Sequence, residues 1–130
     1  MISYLIDTDQ VIDFLKGKPE TTAKLGELFH KGMAISSITL CELYDGVYGS
    51  KYKDEHIKNL NSFLEFVTVL DVNDKISEVF GKQRAKLRKI GNLIDNFDLL
   101  IASTCLCYEL TLLTGNLRHF QRIEGLKINT

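Results

Sequence analysis

Short apolar runs alternate with helical stretches along the chain, and this alternation restricts the fold more than any other feature of the sequence. The runs are Ile2–Ile6, Met33–Ser36, Val67–Leu70 and Thr111–Thr114, with a weaker one at Leu126–Ile128. Runs of this length, apolar on both sides, read as strands of a sheet buried on both faces. Between them the periodicity predicts helices over Gln10–Lys16, Glu20–His30, Ser37 to about Tyr48, Lys53–Phe66, Asp74 to about Lys89 and Asp95 to about Cys107. Gly115–Phe120 reads as a loop or short helix. Gly17, Pro19, Gly32, Gly49 and Gly91 supply the stop signals. Strands that alternate with helices build a parallel sheet covered by helices on both faces. The length, 130 residues, suits one domain spanning 1–130.

In a parallel sheet all carboxyl ends lie on one edge, where ligands bind in open α/β folds. The acids positioned to reach that edge are therefore the candidates for chemistry. Asp7 and Asp9 follow the first strand. Glu42 is expected in the first turn of the helix after the second strand, and Asp95 and Asp98 open a helix that is apolar nearly all round. Asn116 follows the fourth strand. Taken singly, most have a plain structural role: Asp9 as an N-cap, Thr39 and Glu42 as a capping box, Asp95 as an N-cap with Asp98 beside the positive helix end. Asp7 is harder to dismiss in this way, because it ends a buried strand, where a carboxylate has a desolvation cost. Crowded together, such acids raise one another's pKa, and a cation among them relieves the repulsion. An all-oxygen donor set calls for a hard ion, Mg²⁺ or Mn²⁺. Such ions support hydrolysis of phosphodiesters by activating water.

Net charge is −1, which argues against a protein that coats nucleic acid by bulk electrostatics but leaves room for a local basic patch. The helix segment from Lys82 to Lys89 holds five basic residues and no acid. Lys82, Arg84, Lys86 and Arg88, with Arg118 after the fourth strand, are the candidates for phosphate contacts; a solvated helix face is the plainer reading. The three cysteines, Cys41, Cys105 and Cys107, lack metal-site spacing and read as reduced, buried small residues. No apolar run is long enough to span a membrane, and the N-terminus lacks the pattern of a signal peptide, so a cytoplasmic location is expected.

Four ordered blocks resemble the PIN-domain family, and within it the VapC-type toxin ribonucleases. They are Leu5-Ile6-Asp7-Thr8-Asp9, Ser36-Ser37-Ile38-Thr39-Leu40-Cys41-Glu42-Leu43, Asp98-Leu99-Leu100-Ile101-Ala102-Ser103, and Leu113-Thr114-Gly115-Asn116 with Arg118-His119-Phe120. The resemblance implies a three-layer α/β/α sandwich with a mostly parallel central sheet. It also implies cleavage of RNA with Mg²⁺ or Mn²⁺ to 5′-phosphate and 3′-hydroxyl ends, a homodimer, and a cognate antitoxin that blocks the site. Carried onto this chain, the catalytic metal-binding acids are Asp7, Glu42 and Asp98, with Asp95 where some members have a further acid. Thr8 and Thr114 match hydroxyls that orient ligands. Two departures stand out: Asp9 replaces a frequent Asn, and Asn116 replaces a frequent Asp. The second removes a carboxylate and weakens any second metal site.

Two rivals have support in the same residues. Asp7-Thr8-Asp9 after an apolar strand also resembles the haloacid-dehalogenase phosphatases, with Asp7 as nucleophile. Against that, the Thr114 segment follows Asp95 and Asp98 instead of preceding an acid pair, and Glu42 is left without a role. The other rival is a PIN-like domain that only binds a partner, for which Asn116 is the sole support. A housekeeping RNA-processing nuclease is a variant of the main reading; the compact chain favours a toxin only by analogy.

Overall fold

The computed structural model describes residues 1–130. In chain order the elements are β1 (Tyr4–Ile6), α1 (Thr8–Leu15), α2 (Pro19–Leu28), β2 (Met33–Ser36), α3 (Ser37–Tyr48), α4 (Lys53–Leu64), β3 (Thr68–Leu70), α5 (Asp74–Lys89), α6 (Asn96–Tyr108), β4 (Thr111–Leu113), α7 (Leu117–Phe120) and β5 (Lys127–Asn129). A single 3₁₀ turn, Phe29–Lys31, follows α2. The expected elements are all present. The main differences are at their ends: α1 begins two residues earlier than its apolar pattern suggested, and α2 stops before the 3₁₀ turn.

The five strands form one sheet in the order β3-β2-β1-β4-β5, and every pairing is parallel. From β1 the chain winds outward through β2 to β3. It then crosses to the other side for β4 and β5. The carboxyl ends of β1 and β4 therefore flank the point where the winding reverses, where an open α/β sheet has its natural crevice. The register pairs Ile6 with Leu113, so Asp7 and Thr114 emerge side by side.

Side-chain alternation explains the three layers. Leu5, Ala34 and Leu112 point to one face, where they pack with Leu87, Leu99, Ile101, Ala102, Cys105 and Phe120 beneath α5, α6 and α7. Their neighbours Ile6, Met33, Ile35 and Leu113 point to the other face and meet Val11, Leu25, Leu43, Leu60 and Phe63 of α1–α4. Strand residues alternate faces, so a buried parallel strand must be apolar at successive positions. Each such Leu or Ile contributes about 1.5–3 kcal/mol through burial. The nearly uniform apolarity of α6 has the same cause: Leu99, Ile101, Ala102, Ser103, Thr104 and Cys105 are all buried.

Gly32 is needed where β2 begins. Its φ is +84°, and a β-carbon there would collide with the Met1 carbonyl. Its own carbonyl accepts from the N–H groups of Ser3 and Tyr4, which anchors β1 beside β2.

Three residues of apolar helical stretches lie outside the core. Ile90 follows the last residue of α5 and is largely exposed, so the apolar stripe of that helix ends at Leu87. Cys41 is exposed and Cys107 half-buried, which leaves Cys105 as the one buried thiol; all three are free. No helix is long and apolar enough to cross a membrane.

Candidate active site

Asp7 stands at the crevice. Its backbone is extended (φ −66°, ψ 151°) and it caps α1. One carboxylate oxygen, Oδ1, accepts from the Thr8 N–H at 2.8 Å, and the other, Oδ2, accepts from the Thr114 hydroxyl at 2.7 Å. The expected cap, Asp9, is instead an exposed residue in the first turn of α1. The helix starts as soon as β1 ends, so the residue between them is the one with cap geometry. Asp7 is only 4% exposed. Burial pushes its pKa from 3.8 up to about 6, with smaller upward contributions from the Asp98 and Asp9 charges; the two hydrogen bonds oppose the rise. Burial is thus the larger cause, and repulsion among the acids adds to it.

Glu42 reaches the site through hydroxyls. Thr8 Oγ1 donates to Glu42 Oε1 at 2.7 Å, which uses its only proton. Thr39 Oγ1, 2.9 Å away, must then be the donor to Thr8. The chain Thr39 to Thr8 to Glu42 ties α3 to the first turn of α1. The capping box expected of Thr39 and Glu42 is absent. Ser36 caps α3, accepting from the Ile38 N–H at 3.1 Å, so Glu42 lies in the second turn and Thr39 points inward, fully buried. Thr39 is a site residue that its cap-like spacing to Glu42 conceals. The available signal was its position three residues before Glu42, which puts both on one helix face.

Asp98 lies in the first turn of α6. Asp95 caps that helix as expected, its Oδ2 accepting from the Phe97 N–H at 3.0 Å and the Asp98 N–H at 3.3 Å. The Asp98 carboxyl is raised from 3.8, first by burial and then by the Asp95 and Asp9 charges, against the pull of His119. His119 Nδ1 lies 3.3 Å from Asp98 Oδ2 and 2.8 Å from Asn116 Nδ2. One ring nitrogen serves both neighbours. Proton on Nδ1, it donates to Asp98 and Asn116 must present its oxygen; proton on Nε2, it accepts from the Asn116 amide. Asn116 is held in turn by its N–H, which donates to Thr114 Oγ1 at 2.9 Å. Thr114 thus joins Asp7 to the Asn116 loop.

The fold therefore brings Asp7, Asp9 and Asp98 within electrostatic reach of one another. Thr8 links Glu42 to this group, and Asp95 adjoins it. No Lys or Arg forms an ion pair with any of these acids; His119 is the one basic side chain in contact. The basic residues of α5 are engaged elsewhere or open to solvent: Lys82 pairs with Glu78 at 3.2 Å, and Arg84 Nε donates to Asn96 Oδ1 at 3.0 Å. Lys86, Arg88 and Arg118 are exposed.

The donor set suits a hard divalent cation. Its oxygens come from carboxylates, and the nearby Cys105 thiol is held protonated by burial and by the Asp7 charge. A buried carboxylate flanked by like charges without a Lys or Arg partner is the environment that a cation relieves. At rest, no three Asp, Glu, His or Cys side chains stand close enough around one point to hold an ion.

Comparison with known proteins gives a consistent result. The family model described as "PIN domain" matches residues 4–126. A protein named ribonuclease VapC2 from Haemophilus influenzae is 37% identical over 128 residues, covering 98% of this chain and 96% of that protein. A tRNA(fMet)-specific endonuclease VapC from Salmonella typhimurium is 33% identical over 128 residues, with 98% and 97% coverage. Among solved structures, VapBC2 from Rickettsia felis bound to a promoter DNA fragment superposes with a TM-score of 0.92 at 34% identity, covering 99% of this chain and 98% of that one.

Proposed function

The chain belongs to the PIN-domain family, and from that membership and the site geometry we propose that it is a divalent-metal-dependent endoribonuclease, the toxin of a toxin–antitoxin pair. The observation that carries this reading is Asp7: a buried carboxylate at the switch point of the sheet, held by two hydrogen bonds and flanked by Asp98 and Asp9. Family membership also removes the basis for the haloacid-dehalogenase reading of Asp7-Thr8-Asp9.

Asp7, Glu42 and Asp98, with Asp95 beside them, would hold Mg²⁺ or Mn²⁺. When bound, such an ion supplies an activated water and neutralises charge that builds up on the phosphoryl oxygens. The chain's own residues set the geometry. Thr114 and the Thr8 N–H aim both oxygens of Asp7. Thr39, through Thr8, aims Glu42. Asp9 adds negative charge at the rim, which strengthens cation binding. Asn116 orients His119 and the loop after β4 but brings no carboxylate, so the family's additional acid is missing from that wall. Exposed Lys86, Arg88 and Arg118, with Lys82 and Arg84, are candidates to hold RNA phosphates.

The same reading includes a homodimer in the cytoplasm and a cognate antitoxin protein that covers the acids. The test is cleavage of total RNA by the wild type and by Asp7→Asn, each in Mg²⁺, Mn²⁺ and EDTA. Cutting by the wild type only, and only with metal, supports the reading. Equal cutting in EDTA, or by Asp7→Asn, overturns it. Light scattering checks the dimer.

A further inference from the structure

The hydrogen-bond donors around the acids are nearly all committed. The Thr8 N–H and the Thr114 hydroxyl serve Asp7, the Thr8 hydroxyl serves Glu42, and the Thr39 hydroxyl serves Thr8. The Asn116 N–H is bonded to Thr114 Oγ1. No Lys or Arg pairs with these acids. A phosphate brought to them carries negative charge and needs a donor that these groups do not spare. His119, on α7, has one. Its ring meets Asp98 and Asn116 through Nδ1 alone, and Nε2 has no partner in the chain. The side chain is 44% exposed and no buried side-chain nitrogen or oxygen lacks a partner, so Nε2 is open to solvent. It stands across the ring from Nδ1, within a few ångströms of the Asp98 carboxylate.

Asn116 decides which nitrogen carries the proton. Its amide nitrogen lies 2.8 Å from Nδ1 and can only donate, so Nδ1 accepts and the proton of the neutral ring sits on Nε2. Asp98 favours the opposite tautomer from a longer distance, 3.3 Å, and that preference fades once its charge is shared with a cation. A protonated ring also bears a proton on Nε2, so the outward donor does not depend on the charge of the ring. A carboxylate at position 116 would instead hold the proton of the neutral ring on Nδ1 and leave Nε2 bare. Thr114 joins Asn116 to Asp7, which ties this donor to the most deeply buried acid.

Resting on the nuclease reading, we propose that His119 is a substrate-contact residue, its Nε2–H donating to a non-bridging oxygen of the RNA phosphate that is cut. The acids that attract a cation also repel the phosphate. One N–H fixed beside Asp98 offsets part of that repulsion and meets the oxygens on which charge builds during cleavage. Arg118 is exposed and adds attraction at longer range, but it is not held at the acids.

Amide side chains separate the roles of the two ring nitrogens, because the amide of Gln extends to the place of Nε2 and that of Asn to the place of Nδ1. The test is the rate at which the wild type, His119→Ala, His119→Gln and His119→Asn cut a fluorescein-labelled, random-sequence single-stranded RNA in Mg²⁺. Mn²⁺ affinity is measured on the same samples by titration calorimetry, and folding by urea unfolding. His119→Ala should cut about 10- to 100-fold more slowly, the worth of one hydrogen bond to a charged group. His119→Gln should recover most of the rate, and His119→Asn should be as slow as His119→Ala. Mn²⁺ affinity should match the wild type in all three. In the non-cleaving Asp7→Asn background, fluorescence anisotropy should show weaker RNA binding with His119→Ala and His119→Asn but not with His119→Gln. If His119→Asn is fast and His119→Gln slow, the ring acts through Nδ1 on Asp98 and the proposal is overturned. A fall in Mn²⁺ affinity or in stability that tracks the rate overturns it too, as does a His119→Ala chain that cuts like the wild type. A wild type that cuts no RNA in any metal has a different meaning: the nuclease reading fails, and this proposal fails with it.

Discussion

The two walls of the crevice are built differently. On the β1 and α3 side, Asp7 and Glu42 are held by short hydroxyl hydrogen bonds of 2.7 Å from Thr114 and Thr8, and Thr8, Thr39 and Thr114 are buried. On the α6 and α7 side, Asp98 meets only a 3.3 Å contact from a partly exposed His119, and Asp95 is exposed and occupied in capping its helix. Buried hydroxyls without water to compete for them fix a carboxylate in one orientation. A solvent-facing carboxylate can exchange protein contacts for water at little cost. The first wall is fixed by its hydrogen bonds, and the second has the greater freedom to rotate.

Asp7→Asn is the largest perturbation and acts on the rigid wall. Cleavage should fall by at least about a hundredfold, more than the loss of an outer-shell group produces. Stability should move the other way. A carboxyl whose folded pKa lies above its unfolded value destabilises the fold when ionised. The penalty is absent below 3.8, grows as pH rises, and is complete above about 6. It amounts to about 3 kcal/mol. In EDTA at pH 7.5, Asp7→Asn should therefore be more stable than the wild type by about 1–3 kcal/mol, and the gain should vanish near pH 4. Urea unfolding at the two pH values measures this. A destabilised Asp7→Asn at pH 7.5 would show that the rigid wall is not electrostatically strained.

Thr8→Val comes next. It leaves the Thr39 hydroxyl buried without its acceptor and frees Glu42 to swing. A loss of about 1–3 kcal/mol is expected, with Mn²⁺ affinity down about 10–100-fold by titration calorimetry. Thr8→Ser keeps the hydroxyl and should restore most of the affinity. If Thr8→Val binds Mn²⁺ like the wild type, the relay to Glu42 has no part in the site.

Changes on the loose wall should be smaller. Asp95→Ala removes a helix cap and should lower stability by about 1 kcal/mol. Asp95→Asn retains the cap, so any metal affinity it loses reports the charge alone. His119→Ala should shift unfolding by less than about 0.5 kcal/mol, as expected for a half-exposed pair. A stability loss as large as that of Thr8→Val would mean that the two walls are equally rigid.

The strands and helices were legible in the chain because each is a local periodicity. Apolar runs such as Leu112-Leu113 can be buried only between two helical layers, and α6 can be apolar all round only at the centre. The acids were legible for a related reason: parallel strands deliver Asp7 and the Thr114 segment to one edge whatever the details. The caps were read less well. Cap propensity points to Asp9 and Thr39 for helix starts that the structure gives to Asp7 and Ser36, because capping depends on the single residue where the backbone turns. Cap propensity does not distinguish neighbours such as Ser36, Ser37 and Thr39.

What only the tertiary structure decided is which side chains meet across the crevice. Thr8 lies 31 residues from Thr39, and Asp7 lies 107 residues from Thr114. No local pattern encodes hydrogen bonds over such separations; they arise when the sheet sets β1 between β2 and β4. The sequence determined that carboxylates would gather at the carboxyl edge of a parallel sheet. Packing determined that one of them would be buried deeply enough to hold its proton to about pH 6. Charge repulsion follows from which residues are present, whereas desolvation depends on how closely the rest of the chain closes over them.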